Sequence, residues 1–254
     1  RRTKGYLEVE AGGSAAEYGD EPLQIKNRFP SVRVAVCKDR LEGCRRLSEQ
    51  GVEVVVLDDS MQYRRLKPTV SMCLMDYSRP AFADRLLPFG RLRDLPSRAQ
   101  DAGLVVVTKC PEGFDAQPFA ERYCRVAFSR IVYGALEPAF GGTARESDEL
   151  IVLTGIANNR PLLEHLAFGH KIVKVLEFPD HHAFRPSDIR ALRKALREHP
   201  GASVVTTRKD MSRLYGLKSE LGSLADSLFV APISVEFCSD ADKAAFEALL
   251  VRIF

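Results

Sequence analysis

Short apolar runs alternate along this chain with longer stretches whose apolar residues recur every three or four positions. Continuous runs rich in Val, Ile and Leu indicate buried parallel strands, and a helical period between them indicates crossover helices. The pattern predicts strands at residues 32–37, 53–57, 70–76, 104–108, 126–133, 149–153, 171–178, 202–206 and 228–233. It predicts helices at residues 23–29, 39–50, 160–168, 187–199 and 240–253. Such a βαβ order is typical of the α/β class, with helices on both faces of a mostly parallel sheet.

The stretch at residues 134–148 interrupts this pattern, because it is rich in small, polar and glycine residues. Stretches of this composition commonly join domains. We therefore predict a core domain at residues 1–142 and a second, smaller α/β domain at residues 143–254. Within the first domain, Asp39 stands at the start of a helical pattern and is expected to be its N-cap.

Composition narrows the class of protein. The 254 residues are 45% hydrophobic and 28% charged, which is ordinary globular usage and excludes a disordered or fibrous chain. The formal net charge of +3 is not the basic excess of a dedicated nucleic-acid-binding protein. None of the six cysteines forms a C-x-x-C pair, which favours reduced thiols over disulfides or a zinc site. No apolar run approaches the length of a membrane span.

Asp58 and Asp59 follow the apolar run at residues 53–57. A carboxylate at the end of a buried strand is a rigid oxygen ligand of the kind that nucleotide-dependent phosphotransferases use to hold Mg²⁺. The same position also suits a helix N-cap or an exposed strand end. The local pattern alone does not decide between these alternatives.

A phosphate-binding loop of the form G-x-x-x-x-G-K-[ST] would complete such a nucleotide site. No glycine of the chain is followed directly by lysine, so the motif does not occur in these residues. The chain begins at Arg1, and its first segment already has the pattern of a strand. We therefore expect the loop in a preceding segment, and we expect this chain by itself to be inactive.

Two further segments carry side chains suited to proton transfer. The first, Gly19-Asp20-Glu21-Pro22, precedes the helix at residues 23–29, so Asp20 is either a helix cap or a general base. The second, Phe178-Pro179-Asp180-His181-His182, ends a predicted strand. Adjacent histidines on extended backbone point to opposite sides, so one of them could orient a carboxylate while the other points away. A D-H-H triplet also occurs in metal-dependent phosphoesterases, and a solvated surface turn is a third alternative.

Taken in order, these segments resemble the tetraacyldisaccharide 4'-kinases, the lipid A 4'-kinase family of Gram-negative bacteria. The matching segments are residues 19–22 (GDEP), 38–40 (KDR), 57–63 (LDDSMQY), 76–77 (DY), 86–94 (LLPFGRLRD), 107–109 (VTK), 154–161 (TGIANNRP), 178–182 (FPDHH) and 206–210 (TTRKD). The chain departs from the family pattern at Met61 and Tyr63, where the family has Phe and His. A tyrosine at position 63 can still donate a hydrogen bond.

The resemblance implies a P-loop-kinase-type α/β fold and transfer of the γ-phosphoryl group of ATP to the 4'-hydroxyl of a tetraacyl glucosamine disaccharide 1-phosphate, which forms lipid IVA. It implies Asp20 and His181 as catalytic residues and Asp58 and Asp59 as ligands of Mg²⁺. The residues implied in cofactor and substrate binding are Thr108 and Lys109 for ATP, and Arg40, Arg91 and Arg93 for the substrate. The partners implied are the lipid A disaccharide precursor and the inner-membrane surface, on its cytoplasmic face, with no nucleic acid.

Two other hypotheses remain open at this point: the chain could be a D-H-H-type metal-dependent phosphoesterase or a non-catalytic α/β binding domain. For the kinase, we expect His181 to orient Asp20 so that the two act as one base unit. With Asp20 in the first predicted domain and His181 in the second, this expectation requires the two domains to close on the substrate.

Overall fold

The computed structural model describes residues 5–13, 15–141 and 144–253. Strands in this part of the chain are β1 (Tyr6–Glu8), β2 (Ala35–Cys37), β3 (Met72–Asp76), β4 (Leu104–Thr108), β5 (Val126–Tyr133), β6 (Glu137–Pro138), β7 (Glu149–Thr154), β8 (Lys171–Glu177), β9 (Ser203–Thr207), β10 (Leu228–Ala231) and β11 (Ile233–Phe237). Its α-helices are α1 (Ala15–Tyr18), α2 (Asp20–Arg28), α3 (Arg40–Glu49), α4 (Gln117–Ala120), α5 (Arg160–Gly169), α6 (Pro186–Glu198), α7 (Arg208–Leu214), α8 (Lys218–Leu221) and α9 (Asp240–Leu250).

The chain divides into two compact units, and each unit is assembled from two segments. Unit 1 comprises Arg1–Val36 and Tyr133–Ile233, and unit 2 comprises Cys37–Val132 and Ser234–Phe254. The sequence pattern instead predicts two continuous domains that meet at residue 142. The difference arises because the first segment of the chain belongs with residues 133–233 and the last segment with residues 37–132. A change in composition along the chain does not reveal such long-range contacts.

Unit 1 is built on a five-stranded sheet in the order β6-β10-β9-β7-β8. The pairs β10–β9, β9–β7 and β7–β8 are parallel, and β6 is an antiparallel edge strand. Alternate residues of the strands face opposite sides. Ile151 and Leu153 pack in one apolar cluster with residues of α6 and α7, whereas Leu150 and Val152 pack in another with residues of α5. Helices therefore cover both faces of this sheet.

Unit 2 contains a four-stranded sheet in the order β11-β5-β4-β3, in which β3, β4 and β5 are parallel. Val105 and Val107 pack on one face of the sheet with Phe119 of α4. Leu104 and Val106 pack on the other face with Leu249 of α9. Both units thus have the mostly parallel, helix-flanked architecture that the sequence pattern predicts, and the α/β class is confirmed.

One predicted strand is wrong. Residues 53–57 form no regular secondary structure, within the described part of the chain they pair with no strand, and the side chain of Val56 is 90% exposed. An apolar run has the same periodicity whether or not a neighbouring strand covers it. Among the residues that the structure describes, no helix has the length and apolar character needed to cross a membrane.

Candidate active site

The carboxyl ends of three adjacent parallel strands of unit 1 bring three loops together. Gly155 follows β7, the Phe178–His182 segment follows β8, and helix α7 follows β9. In open α/β sheets, ligands bind outside the carboxyl ends of the strands, because the loops there meet in a crevice. The histidines singled out in the sequence therefore lie at the edge of the sheet where function is expected.

Asp20 lies next to His181 in the same unit. The residue before Asp20, Gly19, is the N-cap of α2 and has a φ of 94°, and Asp20 is the first residue of the helix rather than its cap. Its Oδ2 atom is 3.5 Å from Nδ1 of His181. Helix α2 also contacts α7: the side-chain amide of Gln24 in α2 lies 3.4 Å from the hydroxyl of Ser212 in α7. Because both residues belong to unit 1, their contact requires no closure of two domains.

The two histidines have different surroundings. The ring of His182 stacks on Phe178 with centroids 4.6 Å apart, and its Nε2 atom is 2.8 Å from Oδ2 of Asp188 near the start of α6. That side chain is mostly buried, whereas the side chain of His181 is 56% exposed. His182 thus contributes to local structure, and His181 is the histidine that faces solvent beside Asp20.

Three charged residues that follow β9 complete this cluster, and none of them was assigned a role from the sequence. Lys209 donates to Asp180 at 3.1 Å and lies 3.3 Å from Nε2 of His181. Partial burial raises the pKa of Asp180, but the hydrogen bond and charge of Lys209 outweigh this effect and lower it. Arg213 contacts both Asp20 and His181, and Asp210 in turn contacts Arg213. The polar TTRKD segment at the end of a buried strand was the available signal for this part of the cluster.

In unit 2, Asp58 and Asp59 are exposed and follow residues 53–57, which form no strand. Oδ1 of Asp59 accepts a hydrogen bond of 2.6 Å from Arg93, whose pKa is raised by this contact. The guanidinium of Arg40 donates to the backbone carbonyl of Asp59 at 2.9 Å. The structure therefore brings together Asp59, Arg40 and Arg93, which belong to three separate sequence motifs.

Asp39 and Tyr63 form a contact beside this group. Asp39 is the N-cap of α3, as predicted, and its Oδ1 atom accepts from the amides of Leu41 and Glu42. The hydroxyl of Tyr63 donates to the same oxygen at 2.6 Å, and Arg65 donates to Oδ2 at 2.9 Å. These bonds, that of Tyr63 first, lower the pKa of Asp39. Tyr63 thus supports the start of the helix from which Arg40 projects.

Thr108 and Lys109 lie at the carboxyl end of β4, next to the end of β3. The hydroxyl of Thr108 donates to the carbonyl of Met75 at 3.3 Å, and Lys109 donates to Asp76 at 2.7 Å. Arg91 is exposed, and its backbone amide donates to Asp84 at 3.3 Å. The structure does not place Arg91 in the group formed by Asp59, Arg40 and Arg93.

Three non-glycine residues of the described chain have a positive φ, and all three are candidate site residues. They are Asp59 at 43°, Lys109 at 59° and His181 at 60°. This region of backbone conformation is uncommon for residues that carry a side chain, and such residues concentrate at functional sites. The backbone therefore supports these positions independently of their side-chain chemistry.

Comparison with known proteins assigns the family. The model of the family described as tetraacyldisaccharide-1-P 4'-kinase matches residues 1–254. The chain belongs to this family. It is 36% identical to the tetraacyldisaccharide 4'-kinase of Parabacteroides distasonis, over 99% of the chain and 74% of that protein. It is 33% identical to the enzyme of the same name from Phocaeicola vulgatus, over 96% of the chain and 72% of that protein.

A solved structure supports the same assignment. The chain superimposes on a crystal structure of LpxK from Aquifex aeolicus in complex with ATP with a TM-score of 0.71 and 25% sequence identity. The match covers all of this chain and 76% of that one. The resemblance drawn from the sequence motifs is thereby confirmed for family and fold. Nothing in these comparisons supports a D-H-H-type phosphoesterase or a non-catalytic domain.

Proposed function

We propose that this tetraacyldisaccharide 4'-kinase uses the Asp20–His181 pair as the base for its acceptor hydroxyl. In the reaction, the 4'-oxygen of the tetraacyldisaccharide 1-phosphate forms a bond to the γ-phosphorus of ATP. The bond from that phosphorus to the bridging oxygen breaks, and ADP leaves. The hydroxyl proton passes to the carboxylate of Asp20, and the product is lipid IVA.

One observation carries this assignment. Asp20 and His181 come from distant parts of the sequence, yet their side chains are 3.5 Å apart at the carboxyl end of a parallel sheet. The side chain of Asp20 is 26% exposed, so it remains accessible to an incoming hydroxyl. Phosphoryl transfer depends chiefly on positioning and charge neutralisation. A base held by neighbouring groups meets the first requirement, because its oxygen is fixed before the substrate arrives.

The residues of unit 2 suit the nucleotide. Mg²⁺ commonly takes one or two protein carboxylates and completes its shell with water and phosphate oxygens. The adjacent, exposed carboxylates of Asp58 and Asp59 fit that donor set, and a bound Mg²⁺ ion would neutralise charge on the phosphates. Arg40 and Arg93 both contact Asp59, and their guanidinium groups would bind anionic oxygens of the substrate or of ATP there. The proposal also includes Thr108, Lys109 and Arg91. They have less structural support, because they do not contact the group formed by Asp59, Arg40 and Arg93.

The acceptor also indicates where the enzyme works. A disaccharide with four acyl chains resides in a bilayer, so its headgroup is presented at a membrane surface. ATP is the cosubstrate, and we therefore place the reaction at the cytoplasmic face of the bacterial inner membrane. The membrane surface and the lipid A precursor are then the partners of this protein.

The proposed nucleotide site can be tested by substitution in the complete gene product. Label from γ-³²P-ATP should appear in the disaccharide lipid in an Mg²⁺-dependent way. Asp58→Asn and Asp59→Asn should each lower kcat by about a hundredfold or more, because a lost metal ligand costs several kcal/mol of transition-state stabilisation.

Asp101→Asn is the matched control. Asp101 forms a 2.6 Å salt bridge with Arg98, as Asp59 does with Arg93, and it is similarly exposed. This control should retain the activity of the unmodified enzyme. Near-normal activity of both Asp58→Asn and Asp59→Asn would remove these residues from the nucleotide site.

A further inference from the structure

Arg213 joins the two residues proposed for proton transfer. Its Nε and Nη2 atoms donate to Oδ2 of Asp20 at 3.2 and 3.0 Å, and Nη2 is also 3.0 Å from Nδ1 of His181. The Arg213 side chain is only 7% exposed, so the guanidinium itself is largely shielded from water. We propose that Arg213 is a positioning residue for phosphoryl transfer, which holds Asp20 and His181 in one fixed arrangement. This inference rests on the proposed role of Asp20.

A buried carboxylate holds Arg213 in place. Asp210 is fully buried, and its Oδ1 atom accepts from Nη1 of Arg213 at 3.2 Å. Its Oδ2 atom accepts from the amide of Gly155 at 3.0 Å and from the hydroxyl of Thr207 at 2.8 Å. Breaking a buried pair leaves an uncompensated charge and is strongly unfavourable, so this part of the network is rigid. The rigidity extends through the guanidinium to Asp20.

Gly155 allows the loop after β7 to approach this pair. A Cβ atom at Gly155 would lie 3.2 Å from Oδ1 of Asp210 and 3.2 Å from Cβ of His182. Both distances are tight for a carbon, so a side chain at position 155 would push the loop away. The carbonyl of Gly155 also accepts from Nη1 of Arg213 at 3.3 Å.

Every donor of the guanidinium has a partner in this arrangement. Arginine presents five N–H groups in a planar fork. Nε and one Nη2 hydrogen face Asp20, the second Nη2 hydrogen faces His181, and the Nη1 hydrogens face Asp210 and Gly155. Lysine has three donors on a single atom and cannot span these groups, so the site requires the shape of arginine as well as its charge.

The test is steady-state kinetics of Arg213 variants in the complete gene product. We expect Arg213→Ala to lower kcat by about a hundredfold, as misplacing a reactive group typically does, with little change in KM for ATP. Millimolar guanidinium chloride, compared with the same concentration of sodium chloride, should restore part of kcat, because the free ion can occupy the vacated position. Arg213→Lys should be intermediate and should not respond to guanidinium.

Arg193→Ala is the matched structural control. Arg193 is a partly buried arginine of the same unit whose guanidinium donates to the carbonyls of Glu220 and Leu221. Its loss should lower Tm without lowering kcat or producing rescue. If Arg213→Ala does not fold, Arg213→Lys carries the test through the fall in its kcat at unchanged KM for ATP.

The outcomes separate this inference from the function on which it rests. If Asp20→Asn has a lowered kcat while Arg213→Ala or Arg213→Lys is fully active, the role of Arg213 is overturned and the role of Asp20 is not. Loss of kcat in Arg213→Ala without guanidinium rescue, in a protein with the Tm of the Arg193→Ala control, would also overturn it. A fully active Asp20→Asn would instead overturn the proposed base.

Discussion

The pairing of Asp20 with His181 predicts non-additive losses of activity. Asn is suited to both positions, because it preserves the shape of aspartate and tolerates the positive φ of 60° at His181. A general base contributes about 10²–10⁴-fold to rate, so Asp20→Asn should lower kcat by that factor. Neither residue is assigned to ATP binding, so KM for ATP should change little.

The magnitude for His181 follows from its geometry. A hydrogen bond to a charged group contributes about 1.5–3 kcal/mol. Nδ1 of His181 is 3.0 Å from Nη2 of the charged Arg213, which also holds Asp20, but the imidazole is 56% exposed, so we take the lower end of that range. Since about 1.4 kcal/mol corresponds to a factor of ten in rate, His181→Asn should lower kcat by about tenfold.

The double mutant decides whether the two residues act together. If His181 acts only through Asp20, the double mutant should have the kcat of Asp20→Asn, and the whole His181 effect should appear as coupling. Steady-state kinetics of all four proteins, with folding checked by Tm, measures this. His182→Asn is the control, because His182 pairs with Asp188, and it should lower Tm while leaving kcat within about twofold. Additive losses, or a larger kcat defect in His182→Asn than in His181→Asn, would refute the reasoning.

Two further predictions concern thiol reactivity and acid stability. Burial raises the pKa of Cys110 to about 12, so a thiol reagent at pH 8 should label the exposed Cys124 first; equal labelling rates by mass spectrometry would contradict this. Partial burial raises the pKa of Asp76, but hydrogen bonds from Lys109 and Ser78 outweigh this effect, and the net pKa is lowered. The ionised carboxylate therefore stabilises the fold above its unfolded pKa of about 4, and this stabilisation is lost as pH falls through its folded pKa. Lys109→Met should therefore be less stable than the unmodified protein at pH 7, by at most about 1 kcal/mol because Lys109 is exposed. The difference in Tm between the two proteins should shrink below about pH 4, and a difference that does not change with pH would contradict this prediction.

The sequence was most informative where structure is local. Leu104–Thr108 and Val126–Tyr133 have the predicted bounds, because β-branched and apolar residues in short runs suit a buried parallel sheet. The cap at Asp39 was predicted for the same reason, since its partners lie two and three residues further along the chain. Local sequence patterns reflect interactions between residues that are close in the chain, and the formation of these elements depends mainly on such interactions.

The sequence was least informative where structure depends on distant contacts. The run that includes Val56 has the pattern of a strand but lacks a partner strand in the described residues. Helix α7 was not predicted, because its seven residues are mostly polar and span only about two turns. Arg213 meets Asp20 across 193 positions of sequence, and no periodicity records such a contact. The candidate site was therefore predicted at Asp20 and His181 and missed at the residue that joins them.

The division of each unit into two segments affects how the gene can be dissected. The chain passes between the units at residues 36/37, 132/133 and 233/234. A cut at 142/143 would leave Asp20 on one product and His181 on the other, and it would also separate β11 and α9 from the sheet of unit 2. In genetic terms, residues 37–132 are an insertion within unit 1. A separately expressed unit 1 would have to be encoded by deleting that insertion and ligating codon 36 to codon 133, with the reading frame ended after codon 233.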